Sequence, residues 1–367
     1  MRAKTQPNLG QLLLIGFDGT EVSAGLASFL RRLQPAGIIL FARNIVSAEQ
    51  TYRLLQDCQA EVAEPLFRCV DLEGGKVDRL RSVMGPAPSP AEVFATGSRR
   101  MFRKHGRVIG ENCRALGFNV DFAPAVDLAF EASRTVMNSR LVSADPRATV
   151  TYAREFLAGL QEAQVLGSGK HFPGLGEGRL DSHHELPLIA KSWKQLWAED
   201  LVPYRALRRE LPLVMVSHAA YPAVTRQKLP ASLSKKWITD VLRRKIGYRG
   251  LIASDDLEMG GVLAAAPVEQ AAVGHIRAGG DLCLVCHKEE FVTRAYEALV
   301  RTAESDRDFA RRAAESIQRI AGFKKRTKHL GRWAKAPTPE RLQRLSRQLW
   351  EFAEQVRLDT IHREERV

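Results

Sequence analysis

The runs Leu213-Val-Met-Val-Ser-His218, Leu251-Ile-Ala-Ser-Asp255 and Asp281-Leu-Cys-Leu-Val-Cys286 decide the fold. Each is short, apolar and rich in branched residues, without polar alternation. Such a run reads as a strand covered on both faces, the habit of parallel sheets. Between them, Lys235–Ile246 and Pro267–Ala278 repeat their apolar residues at helical spacing. Outward from this stretch the same pattern recurs toward the N-terminus. Further strand-like runs are Leu12–Phe17, Gly37–Phe41, Leu66–Asp71, Gly117–Phe122 and Gly167–His171, with helical segments such as Ala48–Val62 and Arg147–Ala163 between them. Strand–helix alternation builds βαβ units, and eight such units predict an α/β fold closed as a single (β/α)8 barrel. A doubly wound open sheet would carry a glycine-rich phosphate turn after an early strand. The turn here, Asp18-Gly-Thr-Glu21, has no such fingerprint.

The chain has 367 residues, 45% hydrophobic and 26% charged, which suits one globular unit of this size. The expected domain is the whole chain, 1–367, with a barrel core of about residues 10–325 and a helical tail packed on it. Asp308–Phe323 and Pro339–Arg357 are the helical parts expected toward the C-terminal end. The first apolar run, Leu12–Phe17, is too short for a secretory signal. No stretch approaches the roughly 20 apolar residues of a membrane span. A cytoplasmic protein without membrane contact is expected. Cys58, Cys69, Cys113, Cys283 and Cys286 are odd in number and suggest no disulfide framework. Cys283-Leu-Val-Cys286-His287 matches the haem-attachment pattern, but its cysteines fall on a buried strand that points them apart, so haem and a redox dithiol are both read as coincidence. The net charge of +13 invites a nucleic-acid reading. The cations are scattered, however, and the densest run, Lys324–His329, reads as a solvated basic segment. No nucleic-acid partner is expected.

Active sites of such barrels lie at the C-terminal ends of the strands. Four of the eight expected strands end in ionisable residues: Asp71 with Glu73, Lys170 with His171, His218, and Asp255 with Asp256. Burying charge costs several kcal/mol unless it is paired, so a merely structural barrel has no reason for this pattern. Asp255 suits a nucleophile, a metal ligand or a buried ion-pair partner, and residue type alone leaves all three open. Asp256 would point the other way, as a supporting carboxylate. Between Gly174 and Pro187, Asp181 and His183 stand two apart. A carboxylate that accepts from one imidazole nitrogen fixes the tautomer and makes a general acid/base for neutral pH. A solvated polar loop is the plain alternative. His171, Asp181, His183, His184 and Asp255 lack the tight spacing of a metal set, and no metal is expected.

Lys170-His171-Phe172-Pro173-Gly174, followed by Asp181-Ser182-His183 and Leu186-Pro187, resembles the signature of family 3 glycoside hydrolases, specifically their bacterial β-N-acetylglucosaminidases. Val70-Asp71 with Glu73-Gly74-Gly75 resembles another segment of that family, and Ser254-Asp255-Asp256-Leu257 with Met259 resembles its nucleophile segment. The resemblance spans roughly residues 10–325. It implies Asp255 as nucleophile, His183 as acid/base with Asp181 as its partner, and no cofactor. It also implies that Asp71, Arg79, Arg140, Lys170 and His171 bind an N-acetylglucosamine ring. The sequence departs from the family pattern at Leu175, Lys76 and Leu141-Val142, where the family usually has His, Arg and Ser-Phe. The implied reaction is retaining removal of terminal β-linked N-acetylglucosamine from a muropeptide fragment in peptidoglycan recycling, a small-molecule substrate. Competing readings are another β-glycosidase or a phosphorylase on the same scaffold, and an inactive sugar-binding barrel.

Overall fold

The computed structural model describes residues 8–133, 137–177 and 186–365. Among these residues eight parallel strands close on themselves. They are β1 (Leu13–Ile15), β2 (Gly37–Ile39), β3 (Phe67–Val70), β4 (Val120–Asp121), β5 (Leu166–Phe172), β6 (Leu213–Val216), β7 (Leu251–Asp256) and β8 (Leu282–Val285). Each pairs with its neighbour in sequence, and Leu13 beside Cys283 closes the ring between β1 and β8. This is the (β/α)8 barrel that the apolar runs predict.

Helices follow the strands around the outside. They are α1 (Ala24–Leu33), α2 (Ala48–Ala60), α3 (Arg99–Ala115), α4 (Pro146–Glu162), α5 (Leu201–Ala206), α6 (Lys236–Lys245), α7 (Val268–Ala278) and α8 (Glu289–Ser305). Their starts are written in the sequence. Ser23, Ser47 and Asp145 each accept a hydrogen bond from a first-turn N–H, and Pro146 opens α4, which satisfies donors that a helix leaves free. α6 differs from its expected winding, because it is a π-helix with Ile246 N–H donating to Val241 C=O. The chain ends in α9 (Arg307–Arg326) and α10 (Pro339–Glu364). α10 runs several residues beyond the expected Arg357, and both helices pack on the barrel's outer ring.

The core is largely apolar, with charged side chains buried at a few points, one of them at the base of the barrel. Asp281 is fully buried before β8 and accepts from Arg243 of α6, Arg319 and Ser316 of α9, and Ile252 N–H of β7. This carboxylate ties α6 and α9 to the strands. Just past β3 the chain forms a small antiparallel hairpin, Leu72–Gly74 with Val77–Asp78. Its turn needs Gly74 and Gly75, at φ +90° and +60°. A Cβ on Gly74 would lie 2.1 Å from the Pro88 carbonyl oxygen, and one on Gly75 would lie 2.5 Å from Ser89 Cβ. The tight turn sets Asp71 and Glu73 at the mouth of the barrel.

Candidate active site

The C-terminal ends of the strands surround a cavity of about 410 Å3. Asp71, Arg79, Arg140, Lys170, His171 and Asp255 all line it. The structure thus brings together every sugar-site candidate and the proposed nucleophile, although Arg140 lies on the loop after β4, not at a strand end. Asp181, His183 and the neighbouring His184 lie outside the described residues.

Ion pairs hold one wall. Lys170 at the end of β5 donates to Asp71 Oδ1 at 2.7 Å and pairs with Glu73 Oε1 at 2.7 Å. Arg140 grips the same Glu73 through two bonds of 2.8 Å, to Oε1 and Oε2. Burial pushes the Glu73 carboxyl up, but the adjacent Arg140 and Lys170 outweigh it and hold it well below the usual range. This is how a charge survives inside: paired, bidentate and fully hydrogen-bonded. The pairing leaves donors over. Lys170 has three N–H bonds and uses two; the guanidinium of Arg140 has five and gives two to Glu73.

A second wall is set by Asp127, on the loop after β4. One of its oxygens accepts from His171 N–H at 3.0 Å and from His171 Nδ1–H at 2.8 Å, and the other accepts from Leu175 N–H at 2.7 Å. His171 Nε2 is thereby the ring nitrogen without a partner among the described residues. Lys170 and His171 are consecutive, yet both line the cavity, and the peptide between them is cis. Leu175, where the resemblance would place a histidine, is buried against this wall.

Asp255 closes the floor at the end of β7. Its Oδ1 accepts from the N–H of Asp256 at 2.9 Å. Burial raises its carboxyl, but His171, His218, that N–H and Lys170 together bring it below the ordinary aspartate value. His218 is fully buried beneath it. Its Nε2–H donates to the Asp256 carbonyl at 2.8 Å, so Nδ1 accepts from Ser232 Oγ at 2.7 Å. Burial lowers the His218 pKa and favours this neutral form.

Asp256 corrects the sequence reading. It does not point away: its carboxylate lines the same cavity and lies 3.2 Å from His287 Nε2. The reason is local. The pairing of β7 with β8 slips one residue between Ala253 and Asp256, a bulge that re-aims the strand end. His287 stacks on Phe41 with ring centres 5.2 Å apart, and the Asp256 bond raises its pKa. Arg79 lies 6.0 Å from the Phe41 ring, on the other side of the cavity mouth.

The sequence marks Glu73 only as a strand-end charge beside Asp71, and it marks neither Asp127 nor His287 for this site. Glu73 stood in a quoted motif, and its spacing of two from Asp71 was the available signal. Asp127 follows its strand by several residues and carries no motif. His287 was visible only as the last residue of the haem-like pattern. The cysteines of that pattern part company, with Cys286 on the cavity and Cys283 toward the α7 carbonyl of Ala272. Among the described residues no group of three His, Cys, Asp or Glu side chains could hold a metal ion.

Comparison with known proteins identifies the family. A beta-hexosaminidase of Idiomarina loihiensis is 34% identical over 298 residues, which cover 80% of this chain and 89% of that protein. One of Alkalilimnicola ehrlichii is 36% identical over 287 residues, covering 76% of this chain and 82% of that one. The solved structure of a glycoside hydrolase family 3 beta-N-acetylglucosaminidase from Paenibacillus sp. superposes with a TM-score of 0.86 at 31% identity, covering 95% of this chain and 69% of that one. Residues 4–322 match the glycosyl hydrolase family 3 N terminal domain, and the chain belongs to that family.

Proposed function

We propose that this chain is a retaining exo-β-N-acetylglucosaminidase that forms a covalent glycosyl-enzyme on Asp255. The observation that carries the reading is the state of Asp255. It is a carboxylate at a strand end, facing the cavity, with its pKa lowered by His171, His218, the Asp256 N–H and Lys170 despite burial. The names of the relatives and of the Paenibacillus structure support the sugar.

The reaction takes two displacements. A carboxylate oxygen of Asp255 attacks the anomeric carbon as the bond to the leaving oxygen breaks. His183, protonated, gives that oxygen its proton. The neutral imidazole then takes a proton from water, whose oxygen attacks the anomeric carbon and frees Asp255. Asp181 steadies the imidazolium, as the carboxylate does in other Asp–His pairs. The spare N–H groups of Lys170 and Arg140, with Asp71, Arg79 and His171, hold the sugar hydroxyls and acetamido group, so that binding energy becomes orientation. No cofactor enters.

The substrate of this reading is N-acetylglucosamine linked β-1,4 to 1,6-anhydro-N-acetylmuramic acid, with or without peptide, a fragment met in cytoplasmic cell-wall recycling. No helix among the described residues is long and apolar enough to cross a membrane, which is compatible with that role.

The test is release of p-nitrophenol from its β-N-acetylglucosaminide by wild type, Asp255→Ala and His183→Ala. Wild-type activity, abolished by the first change and strongly reduced by the second, is the expected result. A folded wild type without activity sinks the reading. Phosphate-dependent formation of a sugar 1-phosphate would move it to a phosphorylase.

A further inference from the structure

Helix α10 leaves a second cavity beside the catalytic one. Leu345, Leu349, Phe352 and Val356 form its buried stripe and lay the helix on α3 and on the segment that follows the Gly74–Gly75 turn. Arg363 Nη1 ties its far end to the Ala95 carbonyl at 2.9 Å. On another face, α10 and that segment enclose a groove of about 850 Å3. Trp350 lines the groove yet is 67% exposed. An indole left in water on the wall of a groove, with Ile361 also exposed beside it, marks a contact surface.

The groove meets the catalytic cavity at Lys76, which lines both. The other charges of the groove are engaged locally. Glu92 accepts from Ser89 at 2.6 and 2.7 Å, Glu354 pairs with Arg357, and Arg81 donates to the Gly75 carbonyl at 2.7 Å. Lys76 has no hydrogen-bond or ion-pair partner among the described residues. Among the described residues the groove therefore offers one free cation at its junction with the active site and apolar walls beyond. Sugar hydroxyls would find few free partners there, and an unmet hydroxyl is costly to bury.

We propose that this groove is the distal subsite for the leaving group, and that it takes a short acidic peptide carried on the leaving sugar. A carboxylate of the peptide pairs with Lys76, and its apolar side chains lie over Trp350. The proposal deepens the function given above and rests on its reading of the leaving group as a muramic acid that can carry peptide. α10 then acts as a wall of substrate recognition.

Two measurements separate this claim from the catalytic one. Binding of the product, 1,6-anhydro-N-acetylmuramic acid with and without a tripeptide, is followed by calorimetry and needs no turnover. Activity is read on p-nitrophenyl β-N-acetylglucosaminide, which carries neither the leaving sugar nor a peptide. Wild type should bind the peptide-bearing product about tenfold more tightly than the bare sugar, the scale of one good aromatic contact. Trp350→Ala and Ala353→Trp, which strips or fills the groove, should bring the two products to parity and leave p-nitrophenyl turnover unchanged. Equal binding by wild type overturns the proposal. So does parallel loss of p-nitrophenyl activity in both variants, which would make the groove structural. A concentration-dependent dimer abolished by Trp350→Ala also overturns it, because a second copy would then fill the groove. Discrimination by calorimetry without any p-nitrophenol release would keep the subsite and discard the hexosaminidase.

Discussion

Replacing Glu73 by Gln tests the electrostatic frame of the site directly. The side chain keeps its shape and loses its charge. In the wild type Glu73 is 1% exposed and takes two N–H bonds from Arg140 and the ammonium of Lys170. The side chains of Arg140 and Lys170 are themselves only 15% and 3% exposed. After the change, one end of the amide is a donor facing donors, and Arg140 loses its only ion-pair partner among the described residues. Lys170 keeps Asp71 at 2.7 Å. Breaking a buried pair by removing one partner costs roughly 3–5 kcal/mol. Lys170 retains Asp71, which puts the expected loss near the lower end, about 3 kcal/mol. Both cations also position substrate in the proposed function, so kcat/KM on the p-nitrophenyl substrate should fall about 100-fold, the scale of a 1 Å misplacement. Urea unfolding reads the first loss and steady-state kinetics the second. A pH series adds a sign. The wild-type carboxyl sits below its ordinary value of 4.5, so its contribution to stability is present above that pH and lost as pH falls through the depressed value. The Gln variant should lack that portion of the acid dependence. A variant that unfolds at the wild-type urea concentration and keeps kcat/KM within about twofold would refute the reasoning, because Lys170 and Arg140 would then be held by something other than Glu73.

Asp127→Asn should lower kcat/KM by about 10- to 100-fold, since one of its three accepted bonds must face an amide NH2 and a charge-assisted bond is worth roughly 1.5–3 kcal/mol; an unchanged His171 imidazole N–H resonance in the variant would contradict this. His105 and His275 are buried and neutral, with pKa values lowered by burial to about 3 and about 4 from 6.5. The unfolded chain protonates first, so each should remove up to about 2.7 kcal/mol of stability between pH 6.5 and about 4.5 and nothing above that window. Thermal unfolding that is flat across this range would show that these rings are accessible to solvent. The five thiols are buried and free, with Cys58 pushed up to about 12 by burial. A thiol reagent at pH 8 should titrate them only after unfolding, and fast native labelling of Cys283 or Cys286 would revive the dithiol reading.

Much of the barrel could be read from the chain because most strands lie in short, mainly apolar runs buried on both sides. Six of the eight expected runs contain the observed strands, and β5 and β7 overrun theirs by one residue at one or both ends. Their ends were harder to read. β4 pairs regularly over two residues only, because the Asn119 side chain takes over the ladder, accepting from Arg68 N–H at 2.8 Å and donating to Leu66 C=O at 3.0 Å. A hydrophobic pattern does not register a side chain that imitates backbone. The bulge in β7 escaped for a similar reason: alternation assigns Asp255 and Asp256 opposite faces, and only the slipped pairing with β8 turns both inward. At the site, strand-end residues were legible by position, while their partners were not. Lys170 and Asp71 are 99 residues apart, and His171 and Asp127 are 44 apart. Asp127 sits on a loop where no periodicity applies, so its role follows from three-dimensional proximity alone.

The pairings at the cavity also explain why one aspartate among several suits the nucleophile. Glu73 is held by Arg140 and Lys170, Asp71 by Lys170, Asp127 by His171, and Asp256 lies against His287. Each of these carboxylates has at least one oxygen in direct contact with a cation or an imidazole. Asp255 has no ion pair among the described residues; its hydrogen bond is to the N–H of the next residue in its own chain. His171, His218 and Lys170, which help to depress its pKa, make no hydrogen bond to its oxygens among the described residues. It is therefore ionised and free, the combination that in-line attack requires. The transition state gathers positive charge at the anomeric carbon. An unneutralised carboxylate in a site fixed before substrate arrives stabilises that charge without reorganising. Were Asp256 the nucleophile, attack through Oδ2 would have to release His287, whose raised pKa records the strength of that contact. Removing His287 would then accelerate the reaction. With Asp255 as nucleophile, His287→Asn leaves the attacking oxygen untouched, and the rate of glycosyl-enzyme formation should not rise.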